Sequence, residues 1–307
     1  MGLFQNGLKA KVMSTELVME ADVSKKILFE ALERVKNFES TFSAYKEESL
    51  LNTINRSAGV QPVSCNEFEL ELFRSALDIA KRSEGKFDPT IGVLTQGLYG
   101  FGKENQKIPT QKELEKRKKL VDYKSFVIDG KEVYLAKKGM RLDLGGIAKG
   151  FLAEKLVEFF RQNGAKRVMV NVGGELCLYG RSYHIAIKNP YSDTNVAVIK
   201  TMKKPLSIST SGDYERYIKT KEHHHILDSK MAKQNHFYSS ITVLKNGIEG
   251  TLIDAVATIA FNSQPKELRA IAQRFGIALI AIPAEGSIVF ENFSNLDIES
   301  IELFGFF

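Results

Sequence analysis

Residues 141–150, Arg-Leu-Asp-Leu-Gly-Gly-Ile-Ala-Lys-Gly, combine two glycines and a lysine where a helix should begin. Phosphate chemistry uses these parts. Glycines let the backbone approach a pyrophosphate closely, a helix N-terminus offers unpaired N–H groups, and Lys149 adds a mobile positive charge. The pattern is neither GxxxxGK[ST] nor GxGxxG. Taken alone, a tight strand-to-helix turn with a surface lysine explains it equally well. Farther along, Asp254 and Thr258 in LIDAVATIAF stand at i and i+4, so on a helix a carboxylate and a hydroxyl project from one face. Hard oxygen donors of this kind suit Mg2+. The plainer reading is an exposed charge near a helix start and a tolerated polar residue on a packed helix.

His223, His224 and His225 precede Ile226, Leu227 and Asp228. On a strand, His223 and His225 share a face and His224 points the other way. Zinc would need a third ligand, and the two other histidines, His184 and His236, fit no zinc spacing. One histidine acting as a ligand contact or proton acceptor accounts for the run better, with an exposed polar strand as the alternative. Residues 210–214, Thr-Ser-Gly-Asp-Tyr, and 85–90, Gly-Lys-Phe-Asp-Pro-Thr, are polar turns that read alone as punctuation. Phe42, Tyr45 and Phe87 offer flat surfaces to an aromatic ring. With 20 Phe and 10 Tyr in the chain, most such residues belong to the core.

These residues need a scaffold, and the hydrophobic periodicity supplies one. Residues 8–21 alternate as a strand, and 23–38 repeat apolar residues at helical spacing. A helix is expected over 67–83 with Gly85 at its stop. Strands follow at 124–129 and 131–136 about Asp129-Gly130, a favoured hairpin turn, and another ends at 141–144. Residues 147–162 read as a helix. Strands are then expected at 166–172, 175–179, 183–188, 196–201, 206–210, 214–219, 222–227 and 237–244. Helices at 251–262 and 266–275 and strands at 277–282, 287–291 and 297–304 close the chain. Long hairpin runs between helices define an α+β architecture with mainly antiparallel sheets flanked by helices. No linker separates the parts, so residues 1–307 read as a single domain whose two lobes, if present, pack together.

Composition narrows the function classes. Hydrophobic residues make up 43% and charged residues 26%, which excludes a disordered or collagen-like chain. Cys65 and Cys177 lack CxxC spacing and are expected as buried small hydrophobes. The net charge of +6 is too diffuse to indicate nucleic acid. Its densest part, residues 103–120, holds seven basic and three acidic side chains without interleaved aromatics, and reads as a solvated helix face. The chain has no apolar leader, lipobox cysteine or 18-residue apolar run. As written it is expected in the cytoplasm and not across a membrane. A chain trimmed of a leader would read the same, with periplasm or cell envelope as the alternative.

In order, the chain shows VMST (12–15), FSAYKEESLLNTIN (42–55), GKFDPTIGVLTQGLYGFG (85–102), LDLGGIAKG (142–150), VNVGGEL (170–176), STSGDYERY (209–217), HHILD (224–228) and IDAVAT (253–258). This ordered set, spanning about 12–262, resembles the ApbE family of FAD:protein FMN transferases. The resemblance implies an ApbE-like fold and an enzyme that attaches FMN from FAD, with Mg2+, to a Thr or Ser of a target flavoprotein, releasing AMP. It also implies that Met13, Tyr45, Lys86, Phe87, Asp88, Lys149, His225 and Ile226 contact FAD and that Asp143 holds the phosphate loop. Gly146 through its carbonyl, with Asp254 and Thr258 through their side chains, would hold the metal. His225 is the expected base for the attacking hydroxyl, Asp228 the alternative, and Lys149 the partner of the phosphates.

Three positions depart from the family pattern. Residues 229–234, Ser-Lys-Met-Ala-Lys-Gln, replace the usual PxTG after HHILD, Ser14 stands where MGT has glycine, and Tyr99 replaces a common Trp. The first puts acceptor recognition in question; the other two are expected to alter packing only. Two rivals therefore stay open: a Mg2+-dependent FAD pyrophosphatase giving FMN and AMP, and a non-catalytic FAD-binding protein.

Overall fold

The alternation at 8–21 is two strands, Gly7–Val12 and Thr15–Ala21, paired antiparallel with Val12 opposite Thr15. Met13 and Ser14 make the turn between them with φ of 50° and 61°. Both residues of such a tight hairpin turn need positive φ, which explains why glycine suits position 14 and why non-glycine residues there hide the turn from a reading by pattern.

The computed structural model describes residues 2–4, 7–214 and 216–304. The chain divides into two compact units. One comprises Met1–Asn37, Lys149–Gly212 and Phe237–Phe307, and the other Phe38–Ala148 and Asp213–His236.

The first unit is built on a nine-stranded, wholly antiparallel sheet. Its strands are Gly2–Phe4, Gly7–Val12, Thr15–Ala21, Val168–Val172, Glu175–Tyr179, Leu206–Gly212, Tyr238–Asn246, Ala278–Pro283 and Val289–Glu291, and their order across the sheet is their order in the chain. A three-stranded sheet, with Asn195–Thr201 between His184–Lys188 and Ile298–Leu303, shares an apolar core with it. Leu178, Ile199, Leu206, Ile208 and Leu244 are buried there. The helix Gly250–Phe261 is buried on nearly all sides, and Asp254 is the only charged side chain it carries. A charge in such a helix costs burial energy and calls for a partner.

The second unit holds the helix Glu67–Arg82, started by a reciprocal capping box between Asn66 and Glu69, and the hairpin of Phe126–Asp129 and Glu132–Leu135. Its core includes Val93, Leu94, Tyr99, Phe101 and Leu227. A short helix, Leu50–Arg56, capped by the Ser49 hydroxyl, and a π-helical turn, Thr95–Tyr99, escape the periodicity reading. The expected strand at 141–144 is not one. The Asn55 amide accepts from the Leu142 N–H at 2.6 Å and donates to its carbonyl at 3.2 Å, so a side chain does the work of a neighbouring strand. Of the strand expected at 214–219, Tyr217–Ile218 is strand, and Glu215 lies outside the described residues. The basic stretch contains the helix Gln111–Lys118, whose only buried residue is Leu114.

Both cysteines are buried, and burial pushes their thiols up to about 11 for Cys65 and about 12 for Cys177. Neither is a nucleophile near neutral pH. Among the described residues no helix is long and apolar enough to cross a membrane.

Candidate active site

In the first unit, Lys149 lies one residue inside the helix Ala148–Gln162. This helix meets Gly250–Phe261 at a crossing of two glycines. A Cβ on Gly150 would overlap the Gly250 carbonyl, and one on Gly250 would overlap the Gly150 carbonyl. Only glycine at both positions lets the backbones approach so closely. The crossing is reciprocal in its capping as well. Gly150 N–H donates to Asp254 Oδ2 at 2.9 Å, while Thr251 N–H and its hydroxyl donate to Glu154 Oε2 at 3.0 and 2.8 Å. Each helix thus presents a Gly-x-x-x-acid whose carboxylate caps the start of the other.

Asp254 is 3% exposed. Burial pushes its carboxyl up to about 7, and the nearby Glu175 carboxylate adds to the rise, against the Lys149 charge and backbone N–H donors. Glu175 follows the two-residue turn Gly173-Gly174, whose φ values of 60° and 99° favour glycine, and opens the strand Glu175–Tyr179. It accepts from Lys149 Nζ at 2.6 Å through Oε1 and is only 2% exposed. Its other oxygen, Oε2, is buried with no hydrogen-bond partner among the described residues. Lys149, Glu175 and Asp254 therefore form a cluster of two buried carboxylates and one half-buried ammonium. Thr258 is half-buried one turn beyond Asp254. Met13 sits half-buried in its hairpin turn.

Sequence reasoning missed Glu175, although the signal was present. A strand followed by Gly-Gly places the next residue at the first paired position of a tight hairpin.

The cluster suits a hard divalent cation. It has an orphaned buried carboxylate oxygen, a second carboxylate raised by burial, and a hydroxyl on the same helix face. Among the described residues no group of three or more His, Cys, Asp or Glu is arranged to hold a metal. Remaining ligands would have to be carbonyl, hydroxyl, water or substrate phosphate oxygens, the donor set Mg2+ takes.

In the second unit, Asp143 organises the loop before the helix. Its Oδ1 accepts from Gly145 N–H at 2.8 Å, and its Oδ2 from the Thr95 hydroxyl at 2.5 Å and Gln96 at 3.5 Å. Gly146 is half-buried in that turn. Asp88 is buried, and burial raises its carboxyl despite hydrogen bonds from Thr90 N–H, the Thr90 hydroxyl and Tyr123 N–H at 2.6–2.9 Å. Those bonds engage both oxygens in holding the turn. Phe87 beside it is buried and Lys86 half-buried.

Arg216 links two predicted residues and was also missed. Its guanidinium donates to the Tyr45 hydroxyl at 3.0 Å, and its carbonyl accepts from both the backbone N–H and Nδ1 of His225, each at 3.0 Å. A carbonyl can only accept, so Nδ1 carries the proton and Nε2 is the basic nitrogen of His225. His224 is fully buried, bonds the Asn235 carbonyl, and is pushed down to about 4 by burial. Ile226 is buried. Asp228 anchors the altered loop: Oδ1 accepts from the Lys230 and Met231 N–H groups at 2.8 Å and Oδ2 from Asn235 at 3.1 Å. Within the same loop, Ser229 donates to the Gly85 carbonyl at 2.6 Å and Gln234 accepts from the Tyr99 hydroxyl at 3.3 Å. Two departures from the family pattern, at 99 and 234, thus touch each other.

An α+β chain with a lysine–carboxylate cluster at a helix start, and with a tautomer-fixed histidine in a separate unit, has the parts of a phosphoryl-group enzyme. A model of the ApbE family matches residues 11–281, and the chain belongs to that family. The FAD:protein FMN transferase of Klebsiella pneumoniae (strain 342) is 28% identical over 275 residues, covering 86% of this chain and 85% of the relative. That of Escherichia coli (strain K12) is 28% identical over 259 residues, covering 80% and 73%. Among solved structures, the ApbE protein of Thermotoga maritima has a TM-score of 0.86 at 25% identity, over 96% of this chain and 99% of its own. The flavin transferase ApbE of Vibrio cholerae shares the fold with a TM-score of 0.81 at 23% identity, over 93% and 96%.

Proposed function

We propose that the protein transfers FMN from FAD to a Thr or Ser hydroxyl of an acceptor flavoprotein and releases AMP, with Mg2+ held by Asp254, Thr258 and the Gly146 carbonyl. The observation that carries this reading is the half-buried Lys149 beside the buried acids Glu175 and Asp254 at a helix start in a chain of the ApbE family. Bound Mg2+ supplies charge neutralisation for the oxygens flanking the attacked phosphorus.

The chain's own groups divide the remaining work. Lys149 binds the pyrophosphate through its ammonium, and the N–H groups at the helix start favour anions there. Asp143 keeps the preceding loop in shape through Gly145 and Thr95. Met13, Tyr45, Lys86, Phe87 and Ile226 contact FAD, and Asp88 acts through the turn it braces. His225 Nε2 takes the proton of the acceptor hydroxyl as that oxygen bonds to the FMN phosphorus. The bond from that phosphorus to the bridging oxygen breaks, and its electron pair leaves with AMP. His225 is preferred to Asp228 because both Asp228 oxygens already hold the loop.

Incubation with FAD, Mg2+ and a Thr-bearing flavoprotein domain tests the reading. Acceptor heavier by one FMN, with an equal amount of AMP, is expected. Free FMN beside unmodified acceptor, or intact FAD, contradicts it.

A further inference from the structure

Glu175 is the buried charged group that this scheme leaves without a task. One oxygen holds the Lys149 ammonium at 2.6 Å, the other is buried without a hydrogen-bond partner among the described residues, and the residue is 2% exposed. A carboxylate so placed works against an anionic ligand twice. It occupies the lysine that the phosphates need, and with Asp254 it gives the cluster a net charge of −1 when both acids are ionised. In a water-poor site such a charge is felt strongly. A divalent cation turns the same cluster to +1, satisfies the orphaned oxygen's demand for positive charge and relaxes the hold on Lys149.

We propose that Glu175 makes dinucleotide binding conditional on the cation, by tethering Lys149 and repelling the pyrophosphate until a divalent ion is in place. This rests on the roles of Lys149 and Asp254 given above. Glu175 acts through Lys149 and the cation as a positioning residue. Its effect is a coupling between two ligands, and by linkage FAD must tighten Mg2+ binding as much as Mg2+ tightens FAD binding.

The test is FAD binding to the full chain by calorimetry at pH 8.5, in EDTA and in saturating Mg2+, with Mg2+ alone titrated separately. For the wild type, Mg2+ is expected to tighten FAD about tenfold or more, within the roughly 5–150-fold range of ordinary couplings. Glu175→Gln keeps an oxygen for Lys149 but removes the charge. It should bind FAD in EDTA about tenfold tighter than wild type, bind Mg2+ alone more weakly, and lose most of the coupling. Glu175→Asp, which keeps the charge, should keep the coupling. A residue needed only for packing would weaken FAD binding in both variants.

Glu175→Gln that binds FAD in EDTA no tighter than wild type overturns the proposal. If that variant fails to fold by circular dichroism, the wild type decides: equal FAD affinity with and without Mg2+ overturns it, and a linked rise in both affinities supports it. Lys149→Ala that binds FAD as tightly as wild type locates the failure in the site assignment itself, and the proposal falls with it.

Discussion

Asp254 and Glu154 stand in matching places, each four residues after one of two crossing glycines and each capping the other's helix. Burial raises both carboxyls. Their surroundings differ. Glu154 Oε2 faces Thr251, which gives it a backbone N–H and a hydroxyl, so its bonds hold the crossing together. Asp254 has the Glu175 carboxylate and Lys149 beside it instead of a threonine. Buried acids are thus distinguished by what stands beside them: one completes a joint, and the other shares its site with a second carboxylate.

Exchanging the two acids should separate these roles. Asp254→Ala is expected to abolish metal-dependent AMP release, by about a thousandfold or more if it removes a principal metal ligand. Its circular dichroism should remain native. Undiminished activity would remove Asp254 from the metal site. Lys149→Ala should weaken FAD binding in Mg2+ by about 10–100-fold, the range expected for one to two charge-assisted hydrogen bonds, and an unchanged dissociation constant would contradict its phosphate role. Glu154→Gln should lower stability by about 1–2 kcal/mol in denaturant unfolding while leaving Mg2+ affinity unchanged. A loss of Mg2+ affinity in that variant would erase the distinction.

The proton balance sharpens the same contrast. The folded protein keeps a proton on Asp254 up to about pH 7, whereas the unfolded chain releases it near 3.8. The metal-free wild type therefore loses stability relative to Asp254→Asn as pH rises from 5 to 8. His224 contributes with the opposite sign, because its folded value of about 4 lies below 6.5, so its stabilisation fades as pH falls through that interval. Comparing the wild type with Asp254→Asn by thermal unfolding in EDTA cancels the histidine contribution. A difference in Tm that does not change with pH would contradict the buried, raised state of Asp254. The smallest effect concerns the tight turn at Met13–Ser14. Ser14→Gly should gain up to about 1 kcal/mol by relieving a φ of 61°, and a loss of stability would show that the serine side chain holds the turn.

Much of this arrangement was legible in the sequence because it follows from local rules. The helix Glu67–Arg82 follows from apolar spacing and the Gly85 stop, and the hairpin of Phe126–Asp129 and Glu132–Leu135 from Asp129-Gly130. The Lys149 and Asp254 segments read equally well as plain structure when taken alone, and the ordered family motifs singled them out. Features that depend on distant partners were hidden. Asn55 satisfies Leu142, 87 residues away, and so removes a strand. Glu175 has meaning only beside Lys149, 26 residues before it, and Arg216 only between Tyr45 and His225. The turn at Met13–Ser14 was missed because neither residue has the glycine freedom that marks such turns.

The most direct measurement is diffraction from crystals soaked with FAD and Mn2+ as an anomalous stand-in for Mg2+. A manganese peak is expected at coordination distance from the Asp254 carboxylate, about 2–2.5 Å, with the pyrophosphate of FAD on Lys149 Nζ. A metal bound away from Asp254, or phosphates that leave Lys149 on Glu175 untouched, would contradict it.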